Sequence, residues 1–182
     1  MASDDGYRRV GEDGFATPAE WHDPIRTLRG RMVAPVTVWT AYGDDDAPAG
    51  LTVSSVMLAE GEPPTLFGLV GPLSALWDAV ASSGRFAAHV LDAHQTRLAD
   101  HFAGRYPLAP FEGVATSRSD HGPLLDAAPT RALCLLNGSE DAGHFVLVRA
   151  VVEQVVVAAG EHPLALYRGR YQTTGPRPRP PG

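Results

Sequence analysis

Lysine is absent from this chain of 182 residues, and all 15 of its basic residues are arginine. Its absence excludes reactions that form a Schiff base through a lysine amine or use that amine as a base. The 21 acidic residues outnumber the basic ones and give a formal net charge of −6. A nucleic-acid-binding surface needs a clustered basic excess, so the composition argues against a nucleic-acid partner.

Cysteine is nearly absent as well. Cys134 is the only one, so no internal disulfide can form. It lies in the apolar run Ala-Leu-Cys-Leu-Leu, where we expect a buried thiol rather than a catalytic one. The acidic N-terminus lacks the apolar segment of a signal peptide, and no apolar run approaches the length of a membrane span. We therefore expect a cytoplasmic protein with no membrane partner.

The length and the 44% share of hydrophobic residues suit one domain with its own core. We expect that domain over residues 17–171. Residues 1–16 are polar and predict a flexible tail. Residues 172–182 alternate Pro and Arg and predict a disordered tail.

Three segments carry the signals of short helices. A capping-box pattern at residues 17–20 predicts a helix that runs to about Leu28. Ser74 is expected to cap a second helix, which Gly84 ends. A further capping-box pattern at residues 92–95 predicts a third helix.

Runs of β-branched and aromatic residues predict five to seven strands. Tight turns join most of them, including one at residues 137–143, which favours an antiparallel barrel or sandwich over a parallel sheet. Residues 104–130 predict a long surface loop. The predicted strands are residues 35–42, 50–55, 65–70, 85–91, 131–136, 144–157 and 164–167.

Residues 50–55, Gly-Leu-Thr-Val-Ser-Ser, combine a strand pattern with three hydroxyls. Thr52 and Ser54 are two apart, so on an extended strand they project to the same face. Buried hydroxyls need hydrogen-bond partners. This face must therefore meet water, a partner or a ligand, and an edge strand with solvated hydroxyls is the alternative.

Several blocks of the chain together resemble the flavin reductase family. They include Gly-Leu-Thr-Val-Ser-Ser, Glu-Pro-Pro-Thr-Leu, Ser-Gly-Arg-Phe-Ala, Gly-His-Phe-Val-Leu and Tyr-Arg-Gly-Arg-Tyr, in the family's order between about residues 30 and 171. The resemblance implies a mainly β fold, an antiparallel split β-barrel with two or three short peripheral helices. It also implies a homodimeric flavin reductase that uses NADH or NADPH, binds FMN or FAD, and supplies reduced flavin to a partner monooxygenase.

The resemblance also assigns residues to ligands. The hydroxyl motif around Ser54 would lie against the flavin ring and its ribityl chain. Ser74 and Arg85 would address the phosphate end, and His144 the nicotinamide. The residues assigned to the flavin are Thr52, Val53, Ser54, Ser55, Ser74, Ser83, Gly84, Arg85, Phe86 and Tyr171.

Two positions depart from the family pattern. His89 stands where the family usually has Asn, and we expect it to be a hydrogen-bonded core residue. Leu76 and Trp77 make the start of the second helix more apolar than usual. No His, Cys, Asp or Glu cluster has metal-ligand spacing, so we expect no metal.

No side chain is expected to act as a catalytic acid or base, because hydride transfer is the chemistry of the cofactors. Two further functions remain open for this fold. One is a flavoprotein that reduces another small molecule with bound FMN or a deazaflavin. The other is a protein that only binds flavin.

Overall fold

The computed structural model describes residues 23–160 and 162–173, which form three α-helices and twelve strands. The helices are α1 (Pro24–Arg31), α2 (Ala75–Ser83) and α3 (Thr96–Phe102). The strands are β1 (Ala34–Pro35), β2 (Thr37–Tyr42), β3 (Pro48–Val53), β4 (Val56–Ala59), β5 (Thr65–Val70), β6 (Arg85–Val90), β7 (Thr116–Ser117), β8 (Leu124–Leu125), β9 (Arg131–Ala142), β10 (Phe145–Val156), β11 (Leu164–Tyr167) and β12 (Arg170–Thr173).

Seven strands form one antiparallel sheet in the order β3-β2-β6-β9-β10-β5-β4. Strands β3 and β4 lie at opposite edges, yet only Ser54 and Ser55 separate them in the chain. Two residues let the flanking Cα atoms stand at most about 11 Å apart, so the sheet curls until its edges meet. The N–H of Leu69 on β5 donates to the carbonyl oxygen of Ser55 (3.0 Å), which extends the β4–β5 pairing by one residue into the connection. The predicted antiparallel, mainly β fold is confirmed, with the split between β3 and β4.

The barrel interior is packed around an aromatic pair. Trp39 on β2 stacks on Phe86 on β6, with ring centroids 4.6 Å apart, and both side chains are fully buried. Gly68 on β5 makes room for this pair, because a Cβ there would lie 2.4 Å from the indole Cη2 of Trp39. A second apolar cluster, with Leu91 and Phe102, fills the space between the barrel wall and α3.

The predicted caps of α2 and α3 are confirmed. The Ser74 hydroxyl accepts from the N–H of Trp77 (3.2 Å), and Gly84 ends α2 in a left-handed conformation at φ 70°. The capping box at residues 92–95 is formed, although it opens a short 3-10 turn before α3.

Helix α1 begins later than the sequence predicts. Asp23 is its N-cap, with a carboxylate oxygen that accepts from the N–H of Ile25 (2.8 Å), and Pro24 occupies the first turn. A single helix from residues 17–20 to Leu28 is therefore wrong, and residues 17–20 lie outside the described residues. None of the helices in the described residues is long and apolar enough to cross a membrane.

Two predicted boundaries in the sheet are wrong. The strand at residues 50–55 ends at Val53, because the chain leaves β3 to reach the other edge. The turn at residues 137–143 is strand instead: β9 runs to Ala142 and pairs with β10 in a long hairpin that ends beside Gly143. Its polar residues are largely solvated, so the sequence lacks the apolar alternation that marks a half-buried strand.

A small sheet of β1, β11 and β12 lies beside the barrel. Strand β12 was not predicted, and it extends past residue 171 into the segment assigned to the C-terminal tail. The rest of that tail and the N-terminal tail lie outside the described residues. The domain boundaries therefore stay a prediction.

His89 anchors the loop of residues 104–130 to the barrel. Its ring is fully buried, and Nδ1 lies 2.9 Å from the carbonyl oxygen of Ala128. A carbonyl only accepts, so Nδ1 carries the proton. Nε2 accepts from the N–H of Leu125 (3.5 Å), so the ring is neutral. Burial lowers the pKa of His89 to about 4. The expectation of a hydrogen-bonded core histidine is confirmed.

This burial predicts an acid-sensitive fold. An unfolded chain protonates His89 below its ordinary pKa of about 6.5, whereas the folded chain keeps it neutral to about pH 4. Its contribution is therefore complete above pH 6.5 and is lost as the pH falls toward 4. Between pH 7 and 4, His89 should cost the wild type about 3 kcal/mol in the free energy of unfolding. His89→Asn should not show this loss.

Urea denaturation of both proteins at several pH values across this range measures the difference. Parallel pH profiles for wild type and His89→Asn would show that the histidine does not cause the acid sensitivity.

Candidate functional site

A cavity of about 860 Å³ opens beside the split of the barrel. Helix α1 and residues 32–35 form one wall, and residues 54–57 and 67–69 form the opposite one. Leu147 of β10, Leu166 of β11 and the turn at residues 168–169 complete the lining. The volume lies within the range of about 300–1,000 Å³ that is typical of small-molecule sites.

Ser54 and Ser55 place two hydroxyls in the wall of this cavity. They lie where the chain crosses from β3 to β4, so neither residue belongs to a strand. Neither hydroxyl has a hydrogen-bond partner within the described residues. The two hydroxyls are thus available to a ligand.

The other predicted hydroxyls are engaged elsewhere. Thr52 donates to the carbonyl oxygen of Ala99 on α3 (2.7 Å), so it does not share the face of Ser54 as expected. Ser74 donates to the Gly71 carbonyl (2.7 Å) while it caps α2. Ser83 donates to the Ala79 carbonyl (2.7 Å) at the end of the same helix. None of these three residues lines the cavity.

Arg85 is also held away from the cavity. Its guanidinium donates to a carboxylate oxygen of Glu153 (2.8 Å), and His121 donates to the same oxygen (2.7 Å). The hydrogen bond from His121, with the nearby charge of Arg85, holds the pKa of Glu153 below its ordinary value. The structure therefore shows Arg85 in a hydrogen-bonded cluster with Glu153 and His121, away from the cavity.

Three further residues that the sequence assigned to the flavin have structural roles instead. Val53 and Phe86 are buried in the barrel core, and Gly84 is the left-handed C-cap of α2. Of the residues that the sequence assigned to the flavin, only Ser54 and Ser55 meet in the cavity lining.

Tyr171 and His144 also lie outside the cavity lining. Tyr171 is half-buried against the cluster under α3, where burial, followed by a hydrogen bond with Asp100, raises the pKa of its phenol. His144 is exposed at the tip of the β9–β10 hairpin. The next residue, Phe145, lies 5.9 Å below the guanidinium of Arg29, so His144 is near the cavity rim without lining it.

The positive charge of the cavity was missed by the sequence reasoning. Arg26 and Arg29 enter from α1, Arg168 enters from the β11–β12 turn, and no Asp or Glu is among the lining residues. Arg26 and Arg29 are three apart, the spacing of one helix face. That signal was present in the sequence, but it could not say which cavity the face would meet.

Cys134 is fully buried, and burial raises the pKa of its thiol to about 12. The expected buried, unreactive cysteine is thus confirmed. Among the residues that the structure describes, no three His, Cys, Asp or Glu side chains come together in a way that could hold a metal ion.

Comparison with known proteins agrees with this fold. The model of the flavin reductase like domain matches residues 29–175. The reductase subunit HsaB of a flavin-dependent monooxygenase of Mycobacterium tuberculosis is 29% identical over 160 residues, which cover 86% of this chain and 84% of that protein. FMN reductase (NADH) RutF 2 of Methylorubrum extorquens is 35% identical over 133 residues, 71% of this chain and 76% of that protein.

A solved structure has the same architecture. Nitrilotriacetate monooxygenase component B from Mycobacterium thermoresistibile superposes with a TM-score of 0.76 at 27% identity, and the match covers 87% of this chain and 89% of that chain. The family model spans the barrel, the cavity and the β11–β12 hairpin together. The chain therefore belongs to the flavin reductase family, as its sequence predicted, and is an oxidoreductase of that type.

Proposed function

We propose that this protein transfers hydride from NADH or NADPH to FMN or FAD and supplies the reduced flavin to a partner monooxygenase. The observation that carries the proposal is the cavity beside the split, which combines apolar walls, two available hydroxyls and an arginine-rich end. The names of the relatives, a monooxygenase reductase subunit and an NADH-dependent FMN reductase, support the same reaction.

The residues of the cavity fit a flavin nucleotide. A flavin has a flat ring system with a polar edge and a phosphorylated chain. Ser54 and Ser55 offer hydroxyls to the polar edge, and side chains such as Val56 and Met57 offer apolar surface to the ring faces. Arg29 and Arg168 offer positive charge to phosphate.

When bound, the flavin supplies the redox chemistry by accepting a hydride from the reduced nicotinamide. The chain's own part is to bind and orient. The hydroxyls of Ser54 and Ser55 are preorganised donors, because the crossing from β3 to β4 is fixed at both ends by strands. The apolar walls exclude water from the ring, which strengthens those hydrogen bonds.

We also propose that the protein is a homodimer. Exposed apolar side chains on α1, on residues 32–33 and on β4 form a group that we call the rim surface, because Met32, Val33 and Met57 among them line the cavity. An exposed apolar patch of this kind marks a protein contact. Strand β4 is an edge of the split sheet, which favours an interface there. The rim surface consists of Ile25, Leu28, Met32, Val33, Met57 and Leu58, each 59–70% exposed. A cytoplasmic location is part of this proposal and agrees with the single unpaired thiol.

Oxidation of NADH and NADPH by the purified protein, with and without added FMN or FAD, tests the reaction. We expect flavin to stimulate oxidation to a turnover on the order of 1–1,000 per second. Lack of stimulation by either flavin with either nicotinamide nucleotide would sink the reductase proposal. Tightly bound flavin without such stimulation would favour a flavoprotein that reduces another small molecule.

Ser54→Leu tests the hydroxyl wall of the cavity. Because it replaces a donor with a bulky apolar group, FMN affinity should fall by about tenfold or more, measured by quenching of flavin fluorescence. Thr52→Val is the matched control, because the Thr52 hydroxyl bonds to Ala99 outside the cavity. It should lower the free energy of unfolding by about 1 kcal/mol and leave FMN binding unchanged. Equal loss of FMN binding in both variants would contradict this assignment.

Met57→Glu tests the dimer. A carboxylate on the rim surface would be buried without a partner in an interface, so we expect the molar mass from light scattering to shift from dimer to monomer at micromolar concentration. Leu73→Glu is the control, because Leu73 is exposed on the loop before α2 and lies outside the cavity. A monomeric wild type would refute the proposed dimer.

A further inference from the structure

The turn between β11 and β12 has an unusual residue in it. Arg168 and Gly169 join the two strands, and both have positive φ angles, 50° and 71°. Two positive φ angles in a two-residue hairpin are the pattern of a type I′ turn, for which Asn-Gly is strongly preferred. Arginine in this left-handed conformation is strained by contact of its Cβ with the backbone. Backbone strain of this kind often accompanies a functional side chain.

The backbone of Arg168 is locked to the wall of the cavity. Its N–H donates to the carbonyl oxygen of Gly30 at the end of α1 (2.7 Å). A Cβ at Gly30 would lie 4.0 Å from the Cα of Arg168, an ordinary van der Waals distance, so the turn packs directly against the end of the helix. The turn and helix α1, which carries Arg29, are thus held together.

The side chain of Arg168 has no acidic partner within the described residues. Its guanidinium carbon lies 5.4 Å from the ring centroid of Tyr167, a cation–π contact that leaves the N–H donors at the guanidinium edge available. Arg168 lines the cavity, where no carboxylate neutralises it. Arg85, in contrast, is paired with Glu153. Available guanidinium donors beside a ligand cavity suit a phosphate oxygen.

We propose that Arg168, with Arg29, binds a phosphate group of the nucleotide in this cavity, and that this role keeps arginine where asparagine would give a more stable turn. The inference rests on the proposed function for the identity of the nucleotide. It places the phosphate end at the α1 and β11–β12 side of the cavity, rather than at Ser74 and Arg85. The phosphate can belong to the flavin or to the nicotinamide nucleotide.

Arg168→Asn separates a binding role of the arginine from a structural one, because the two roles predict opposite changes in thermal stability. It creates an Asn-Gly turn, so the midpoint of thermal unfolding should stay the same or rise. Affinity for the nucleotide that owns the phosphate, FMN or the nicotinamide nucleotide, should fall by about tenfold or more, the effect of losing a hydrogen bond to a charged group, while affinity for riboflavin should not change. Arg170→Asn is the matched control, because Arg170 lies on the other side of Gly169 and outside the cavity lining.

Binding measurements with the separate ligands identify which nucleotide the phosphate belongs to. Weaker FMN binding with unchanged riboflavin binding assigns the flavin phosphate. Unchanged FMN binding with weaker binding of NAD⁺ or NADP⁺ in calorimetry assigns the nicotinamide nucleotide. Unchanged binding of all these ligands overturns the proposal, and so does an equal effect of Arg170→Asn.

Binding of pyrophosphate tests the phosphate site independently of the flavin reductase proposal. Wild type should bind pyrophosphate more tightly than Arg168→Asn by calorimetry, even if it reduces no flavin. Equal affinity would overturn the phosphate site alone. If Arg168→Asn unfolds at a lower temperature than wild type, the strain argument is wrong, and Arg168→Gly, which tolerates the same φ, decides whether phosphate binding depends on the guanidinium.

Discussion

The architecture depends on one geometric constraint, the two-residue connection between strands at opposite edges of the sheet. Ser54 and Ser55 must carry the chain from β3 to β4, so seven strands can form one sheet only if it curls. The same constraint keeps these two residues out of both strands. Curling of the sheet and the placement of Ser54 and Ser55 in the cavity wall therefore have a common cause.

Hydrogen-bond engagement divides the polar residues of this chain into two groups. Thr52, Ser74 and Ser83 donate to carbonyl oxygens close by and stabilise helices or their packing. The hydroxyls of Ser54 and Ser55 have no such partner in the described part of the chain. Because a hydroxyl has only one proton to donate, this difference separates hydroxyls that donate within the fold from hydroxyls that can donate to a ligand.

The sequence predicts features whose cause is local. The caps at Ser74 and at residues 92–95, and the end of α2 at Gly84, depend on side chains within a few residues and were correct. The start of α1 was missed because Asp23 and Pro24 compete with an earlier capping pattern. The long β9–β10 hairpin was missed because its pairing is satisfied between two strands of the same ribbon, without an apolar face to reveal it.

By itself the sequence determined the antiparallel β class and the family, because these follow from local patterns and from blocks in a fixed order. Only the tertiary structure decided which hydroxyls face the cavity and which cations accompany them. Residues of α1, of the crossing at Ser54 and of the turn at Arg168 are far apart in the chain, and curling of the sheet brings them to one cavity. No local pattern encodes that convergence, since it depends on how the edges of the sheet meet.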